Sequence, residues 1–303
     1  MDAVPPAPPP LSAQTLAPDL LTALLFRGLS DTPVHEALSI VLDTGLYRRD
    51  VGQYQLTGVS RVQPGGGTPL ADAYGQTAKY MGQARTALFH QRPHSPPPSH
   101  PQALSVTVAL LSPPAVVLVG EFREDTPQLR YLIGWGLAGA MPEHALVCAL
   151  GEDALGTLLA AIESAFGPLG ELPKNNAEVA RLAQNLWQLV PPRADRRLRE
   201  LCRDPTAMQV ETALESTRQA MRRAGLVACG SLATAVAQVA GELRTSLDSY
   251  RHERDGLARL CSDQPIVADL VRLAVSTELA DARWMPVSPT ERRRGDGSQR
   301  APR

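Results

Sequence analysis

The chain contains 303 residues, 44% of them hydrophobic and 20% charged, which is the balance of a folded globular protein rather than a disordered one. Its net charge of −1 argues against a surface that binds nucleic acid through basic residues, and its 4% aromatic content argues against stacking platforms for single strands. Nucleic acid is therefore not the expected partner.

Both ends of the chain have biased compositions. Residues 1–18 hold six prolines and almost no charge, which predicts a disordered proline-rich leader rather than a signal peptide. Residues 286–303 carry five arginines against two acidic residues, which predicts a basic disordered tail. The four cysteines form no C-x-x-C pair, and the longest apolar stretch, 132–141, is about half of what crosses a bilayer. We therefore expect a cytoplasmic protein with reduced thiols and no membrane partner.

The first part of the chain predicts helices followed by a small sheet. Helical patterns at 19–29 and 33–45, with an irregular stretch after them, form an N-terminal helical segment, residues 19–67. A helix from Thr68-Pro69 to about residue 82 opens the main domain, residues 68–285. Runs rich in β-branched residues predict a small antiparallel sheet around 86–122. Its expected strands lie at 86–89, 104–111 and 115–122.

The rest of the chain is predicted to be helical, so the expected fold class is α+β and predominantly α-helical. Thr126-Pro127 marks the start of a helix over 127–141, and Pro142 marks its end. From residue 151 onward the spacing of apolar residues is helical almost throughout. The expected helices there are 153–166, 176–190, 193–203, 206–228, 230–243, 246–262 and 265–281.

Familiar catalytic motifs are incomplete or absent in the sequence. Residues 134–139 spell G-x-G-x-x-G, but the run lies inside the helix 127–141 rather than between a strand and a helix, which disfavours a dinucleotide site. His35-Glu36 and His252-Glu253 both lack the second histidine of an H-E-x-x-H zinc helix. Neither a G-x-S-x-G elbow nor a phosphate-binding loop occurs. Motifs alone therefore assign no reaction.

Two of the predicted helices have unusual compositions. The three glycines of helix 127–141 each cost about 1 kcal/mol relative to alanine, which predicts a close approach of another helix or backbone. Trp135, on the same helix, is expected to fill core volume. The helix 206–228 has an apolar stripe beside a charged row that is expected to face solvent. That row contains Glu211, Glu215, Arg218 and Arg222.

Two segments together resemble a known family. The first is Leu129–Gly139, after the strand run Pro113–Leu118, and the second is Arg218–Leu226, which ends in Arg-Ala-Gly-Leu. This order is similar to that of HtpX-like gluzincin metallopeptidases, which have an edge strand, a helix with G-H-E-L-G-H and a later helix with E-x-x-A-D-R-A-G-L. The resemblance spans residues 68–243. It extends to the helical C-terminal domains of large bacterial tetratricopeptide proteins, which implies a bacterial protein.

The resemblance implies a metallopeptidase-like fold in which every catalytic position has changed. Trp135 stands at the first histidine ligand, Gly136 at the general-base glutamate and Gly139 at the second histidine. Arg218 stands at the third ligand and Arg222 at the aspartate that follows it. Tryptophan and glycine offer no ligand atom, and two arginines repel a divalent cation. The resemblance therefore implies an inactive relative, a pseudopeptidase without a metal cofactor.

The leading functional hypothesis is a non-catalytic interaction, scaffold or regulatory protein. It would bind another protein through the proline-rich N-terminus, as polyproline II, or through the arginine-rich C-terminus. One alternative is a metal-dependent hydrolase with an unorthodox site near His144, with His90, His94 and His100 as further candidate ligands. A second alternative is a small-molecule sensor that uses the vacated peptidase cleft.

Overall fold

The structure is a computed structural model that describes residues 11, 15–27, 33–92, 104–168, 176–204, 208–251 and 253–284. His94, His100, the predicted tail and most of the predicted leader lie outside the described residues. The described chain is predominantly helical with a small three-stranded sheet, so the predicted α+β class is confirmed.

The helices are numbered in chain order, and many of them begin with proline, whose missing N–H costs nothing in a first helical turn. The predicted start of the fourth helix is confirmed, because Thr126 Oγ1 accepts a hydrogen bond of 3.1 Å from the Leu129 N–H. A short 3-10 helix spans Val51–Tyr54. The α-helices are α1 Pro18–Phe26, α2 Pro33–Asp43, α3 Pro69–Tyr80, α4 Pro127–Gly139, α5 Pro142–Ala149, α6 Glu152–Phe166, α7 Ala177–Leu189, α8 Pro192–Leu201, α9 Val210–Cys229, α10 Leu232–Glu242, α11 Asp248–Arg251, α12 Gly256–Asp263, α13 Pro265–Ala274 and α14 Thr277–Trp284.

Several helix boundaries differ from the sequence-based prediction. Pro142 ends the preceding helical run as expected, but it also occupies the start of α5, a helix that the sequence pattern missed. The predicted helix 246–262 is two helices, α11 and α12. The predicted helix 265–281 is also divided, because Ser276 Oγ accepts from the Leu279 N–H at 3.2 Å and caps a new helix, α14.

The sheet is mixed, which corrects the predicted antiparallel sheet. Its strands are β1 Leu88–Gln91, β2 Ser105–Ala109 and β3 Ala115–Val119, in the order β1-β3-β2. The strands β2 and β3 form an antiparallel pair, whereas β1 runs parallel to β3. The chain reverses twice between β1 and β3, so the two strands point the same way with β3 inserted between β1 and β2. The central strand β3 is almost wholly buried, which suits its β-branched sequence.

The helices α4 and α9 occupy the middle of the fold. The helix α4 packs against α3, α9, α10 and the strands β2 and β3, and α9 also packs against α1, α5, α6 and α13. The N-terminal segment has no core of its own, because Leu25 and Leu38 belong to the same buried cluster as Ile133 and Val227. The helices of the described chain include none long and apolar enough to cross a membrane.

The helix α14 lies at the C-terminal end of α9. Arg283 on α14 is buried, and its Nη1 donates to the backbone carbonyls of Val227 and Ala228 at 2.5 and 3.2 Å. Tyr80 on α3 donates to the backbone carbonyl of Ala282 at 3.0 Å. A guanidinium at the C-terminal end of a helix satisfies carbonyls that have no partner within the helix and complements the helix dipole.

Candidate functional site

The crossing of α4 and α9 depends on glycines, as the sequence analysis expected. A Cβ atom on Gly134 would lie 2.5 Å from Ala228 Cβ and 2.6 Å from the Ala224 carbonyl oxygen. A Cβ on Gly225 would lie 2.5 Å from the ring of Tyr131. All three distances are shorter than the contacts that a Cβ atom makes in real structures. The absence of these two side chains therefore lets the helices approach each other to backbone contact.

Gly136 and Gly139, which the resemblance places at the general base and the second ligand, pack against other side chains. A Cβ on Gly136 would lie 2.6 Å from Val116 Cγ1 and 2.8 Å from Val106 Cγ1, so this glycine faces the sheet. A Cβ on Gly139 would lie 2.8 Å from Met221 Cε and 3.2 Å from Cys148 Sγ. The space next to these two positions is therefore occupied by side chains. The sensor hypothesis requires a vacated cleft that could hold a small molecule, and there is none beside Gly136 and Gly139.

Trp135 lies at the rim of the core rather than in it, which corrects the expectation that it fills core volume. Its side chain is half-buried, and its ring centroid is 6.0 Å from that of Tyr131. It lines an open cavity of about 340 Å³ together with Val106 on β2 and Glu242 on α10.

Arg218 and Arg222, the two arginines that the resemblance places at former catalytic positions, have different environments. Arg218 is exposed, in agreement with the predicted charged row. Arg222 is only 5% exposed, and its Nε and Nη2 donate to the Glu242 carboxylate at 3.0 and 2.6 Å. The prediction that Arg222 faces solvent is therefore wrong. The reason is that α10 packs beside this face of α9 and brings an acidic partner to it.

Substitution of Gly134 tests the α4–α9 crossing. We expect Gly134→Ala to lower the free energy of unfolding by about 1–3 kcal/mol, because the Ala224 carbonyl is backbone and cannot move aside without shifting α9. Gly241→Ala on α10 is the matched control, since a Cβ there meets nothing within 4 Å. The control should stabilise the protein by up to about 1 kcal/mol. Urea unfolding of both variants measures the difference, and equal effects would contradict the close crossing.

A buried pair of histidines meets at Thr217, one helical turn before Met221 on α9. His144 on α5 and His35 on α2 both approach Thr217 on α9, with His144 Nδ1 and His35 Nε2 each 3.1 Å from Thr217 Oγ1. The two rings meet edge to face with centroids 5.0 Å apart, and Phe26 of α1 stacks on His144 at 5.4 Å. His144 and Thr217 are 0% and 1% exposed. Four helices therefore enclose one hydroxyl-bridged imidazole pair.

Two hydroxyls of α9 lie within hydrogen-bond distance of the imidazoles. Ser216 Oγ donates to the Thr212 carbonyl, and its oxygen lies 3.3 Å from His35 Nε2. The Thr217 hydroxyl has one proton, so it donates to at most one of the two imidazoles, and the tautomers of His35 and His144 decide which. His144 Nε2 is a buried atom without a hydrogen-bond partner among the described residues.

Both imidazoles are kept neutral by their surroundings. Burial, with a smaller effect from the nearby His35, lowers the pKa of His144 to about 3. Burial also lowers the pKa of His35, although its hydrogen bond to the backbone of Ala213 acts in the opposite direction. A hydroxyl between two neutral imidazoles has the contacts of an activated nucleophile. Enclosure of Thr217 keeps substrate away from it in this conformation.

His90, a candidate ligand within the described residues, does not join this pair. His90 on β1 has its Nε2 2.8 Å from the Gly120 carbonyl oxygen and its ring beside Phe122, so none of its contacts is shared with His144. The described part of the chain contains no group of three or more His, Cys, Asp or Glu side chains placed to hold a metal ion. The histidine that lies next to His144 is therefore His35 and not His90. The sequence pattern missed His35 and Thr217, which lie far from His144 along the chain.

The Arg-Ala-Gly-Leu segment of the resemblance, residues 223–226, has packing roles here. Arg223 forms an ion pair with Asp269, Ala224 and Gly225 contact α4, and Leu226 is buried. Comparison with known proteins finds no matching family model, no matching curated protein and no matching solved structure.

Proposed function

We propose that this protein is a non-catalytic scaffold or regulatory protein that binds another protein, built on a fold that resembles an inactive bacterial metallopeptidase. The observation that carries the proposal is the packing of the α4 glycines. Gly134 and Gly139 pack closely against α9, and Gly136 packs closely against the sheet. Of the positions that would bind metal in the resembled family, Gly139 packs in the core, Trp135 lies at its rim and Arg218 is exposed.

Restoring catalysis at these positions would require space that the fold does not provide. A general base must reach a substrate proton with a side chain, and Gly136 has neither the side chain nor the room for one beside Val116. Arg222 has its charge committed to Glu242, and Arg218 is a cation at the position of a third ligand. These features favour a binding role over a hydrolytic one.

The partner contacts proposed from the sequence are at the chain ends. The five prolines of residues 5–10 suit a polyproline II segment that docks into an aromatic groove of another protein. The arginines of residues 286–303 suit weak electrostatic attachment to an acidic surface. Both kinds of contact, together with the scattered cysteines, fit a protein of the cytoplasm, which we include in the proposal.

The alternative function is that of a metal-dependent hydrolase near His144. It is favoured by one observation, the pairing of His35 and His144 with ring centroids 5.0 Å apart. Two neutral imidazoles are suitable first ligands for zinc. Such a site would need a further ligand and an opening to substrate.

Metal content distinguishes the two functions. We expect the purified full-length protein, prepared in the presence of zinc and then desalted, to hold less than about 0.1 equivalents of metal by elemental mass spectrometry, because a stable zinc site needs three or four protein ligands. His144→Asn is the comparison variant. About one equivalent of zinc in the wild type, lost in His144→Asn, would overturn the non-catalytic proposal and support the hydrolase.

A further inference from the structure

A polar cleft of about 530 Å³ opens between α1, α9, α13 and α14. Its volume lies in the range of sites that bind small molecules or short peptide segments. The apolar part of its lining is formed by Leu24 and Leu273, and most of the remaining lining is charged. The charged residues are Arg27, Arg223, Asp269, Arg272 and Glu278, so the lining is net positive.

The three arginines of the cleft differ in how far they are already engaged. Arg223 is held by Asp269 and by the carbonyls of Leu25 and Arg27, so it forms a fixed part of the wall. Arg27 is an exposed residue, paired with Glu278 at 2.6 Å. Arg272 is exposed in the last turn of α13 and has no hydrogen-bond or ion-pair partner within the described ranges. Its guanidinium is therefore available to a ligand.

Glu278 shows that the cleft can hold a carboxylate. Its Oε1 accepts from Arg27, and its Oε2 accepts from the Thr277 hydroxyl at 3.2 Å. A hydrogen bond from its own backbone N–H, at the start of α14, lowers the pKa of this carboxyl most, and the charge of Arg27 adds to the effect. The side chains of Arg27 and Glu278 are 62% and 36% exposed. Exposed ion pairs of this kind contribute little stability, so another carboxylate can replace Glu278 at small cost.

We propose that this cleft binds an acidic peptide segment of a partner protein, with its carboxylates on Arg27 and Arg272. Arginine binds carboxylates through paired N–H donors, so two exposed guanidiniums that line one cleft suit a segment with neighbouring carboxylates. The inference rests on the proposed function, since it names the chemistry of the partner. It places that contact on the folded part of the chain rather than at its ends.

Fluorescence anisotropy of the full-length protein with a labelled EELEE peptide at low salt tests the proposal. We expect saturable binding that weakens about tenfold or more in Arg272→Glu, because the ligand carboxylate then meets a like charge. Arg196→Glu, an exposed arginine of α8 outside the cleft, is the matched control and should change the affinity less than about twofold. Glu278→Gln should bind the peptide more tightly than the wild type, because it removes the internal competitor.

Several outcomes would overturn the cleft assignment. They are the absence of peptide binding, equal weakening by Arg272→Glu and Arg196→Glu, or equally tight binding of glutarate, which would identify a small dicarboxylate site. Each of these leaves the non-catalytic proposal intact if the protein also holds no metal. A zinc-containing protein whose peptide binding depends on Arg272 would instead remove the non-catalytic proposal and keep the acidic-peptide site.

Discussion

Arg223→Ala should lower the free energy of unfolding by about 3–5 kcal/mol, because it removes one member of a buried ion pair and leaves the other without compensation. Arg223 is 5% exposed. Its Nε and Nη2 donate to the two carboxylate oxygens of Asp269 at 2.8 and 2.5 Å. Removal of the guanidinium strands a carboxylate whose side chain is only 17% exposed.

The same guanidinium also connects α9 to the end of α1. Its Nη1 donates to the backbone carbonyls of Leu25 and Arg27 at 3.1 and 2.7 Å. The last carbonyls of a helix have no partner within the helix, so these bonds act as a cap from a distant part of the chain. One side chain therefore joins α1, α9 and α13. Lysine cannot replace it, because a single ammonium does not present paired donors in this fork geometry.

Urea unfolding at neutral pH measures the effect, with an unchanged slope against denaturant showing that the unfolded state is unaltered. Arg218→Ala, at an exposed position of the same helix, is the control and should change the stability by less than about 0.5 kcal/mol. The double variant Arg223→Met with Asp269→Leu should recover part of the loss, since it leaves no unpaired charge. A loss of under about 1 kcal/mol in Arg223→Ala would show that the ion pair does not hold these helices together.

Local sequence signals predicted the elements well where one residue has one structural meaning. Thr126 and Pro127 mark the start of α4, and β-branched runs mark the strands, because capping and strand preference act over a few residues. Pro142 was interpreted only as an end, whereas the same fixed backbone angle also begins α5. The parallel pairing of β1 with β3 depends on where a strand inserts, which local patterns do not encode.

The candidate site was less predictable because its contacts join distant parts of the chain. The cost of glycine inside a helix correctly indicated a close approach at Gly134. A charged residue on a helix gives no local sign of whether an acidic partner lies on another helix. Arg222 was therefore assigned to solvent, although Glu242 pairs with it. The bridge between His35 and His144 likewise needs three helices to meet at Thr217.

The buried histidine pair should make the protein sensitive to acid. The pKa of His144 is about 3 in the folded protein, against about 6.5 for an unfolded histidine. Below pH 6.5 the unfolded chain therefore binds a proton that the folded chain does not, so stability falls as the pH falls. The loss from His144 is about 1.4 kcal/mol per pH unit, or about 2 kcal/mol between pH 6.5 and 5. His35, whose pKa is also lowered, acts in the same direction.

His144→Asn tests this dependence, because an amide can occupy the Nδ1 position and bond Thr217 but does not titrate. The free energy of unfolding, measured in urea from pH 7.5 to 5, should fall less steeply with decreasing pH in His144→Asn than in the wild type. The two slopes should differ by about the effect of one bound proton. His90→Asn on β1 is the matched control, because it removes a histidine but leaves the buried pair intact. Parallel curves for the wild type and His144→Asn would mean that the folded protein protonates His144 readily. The packing of α2, α5 and α9 around Thr217 would then have to open near neutral pH, and substrate or metal could reach the pair.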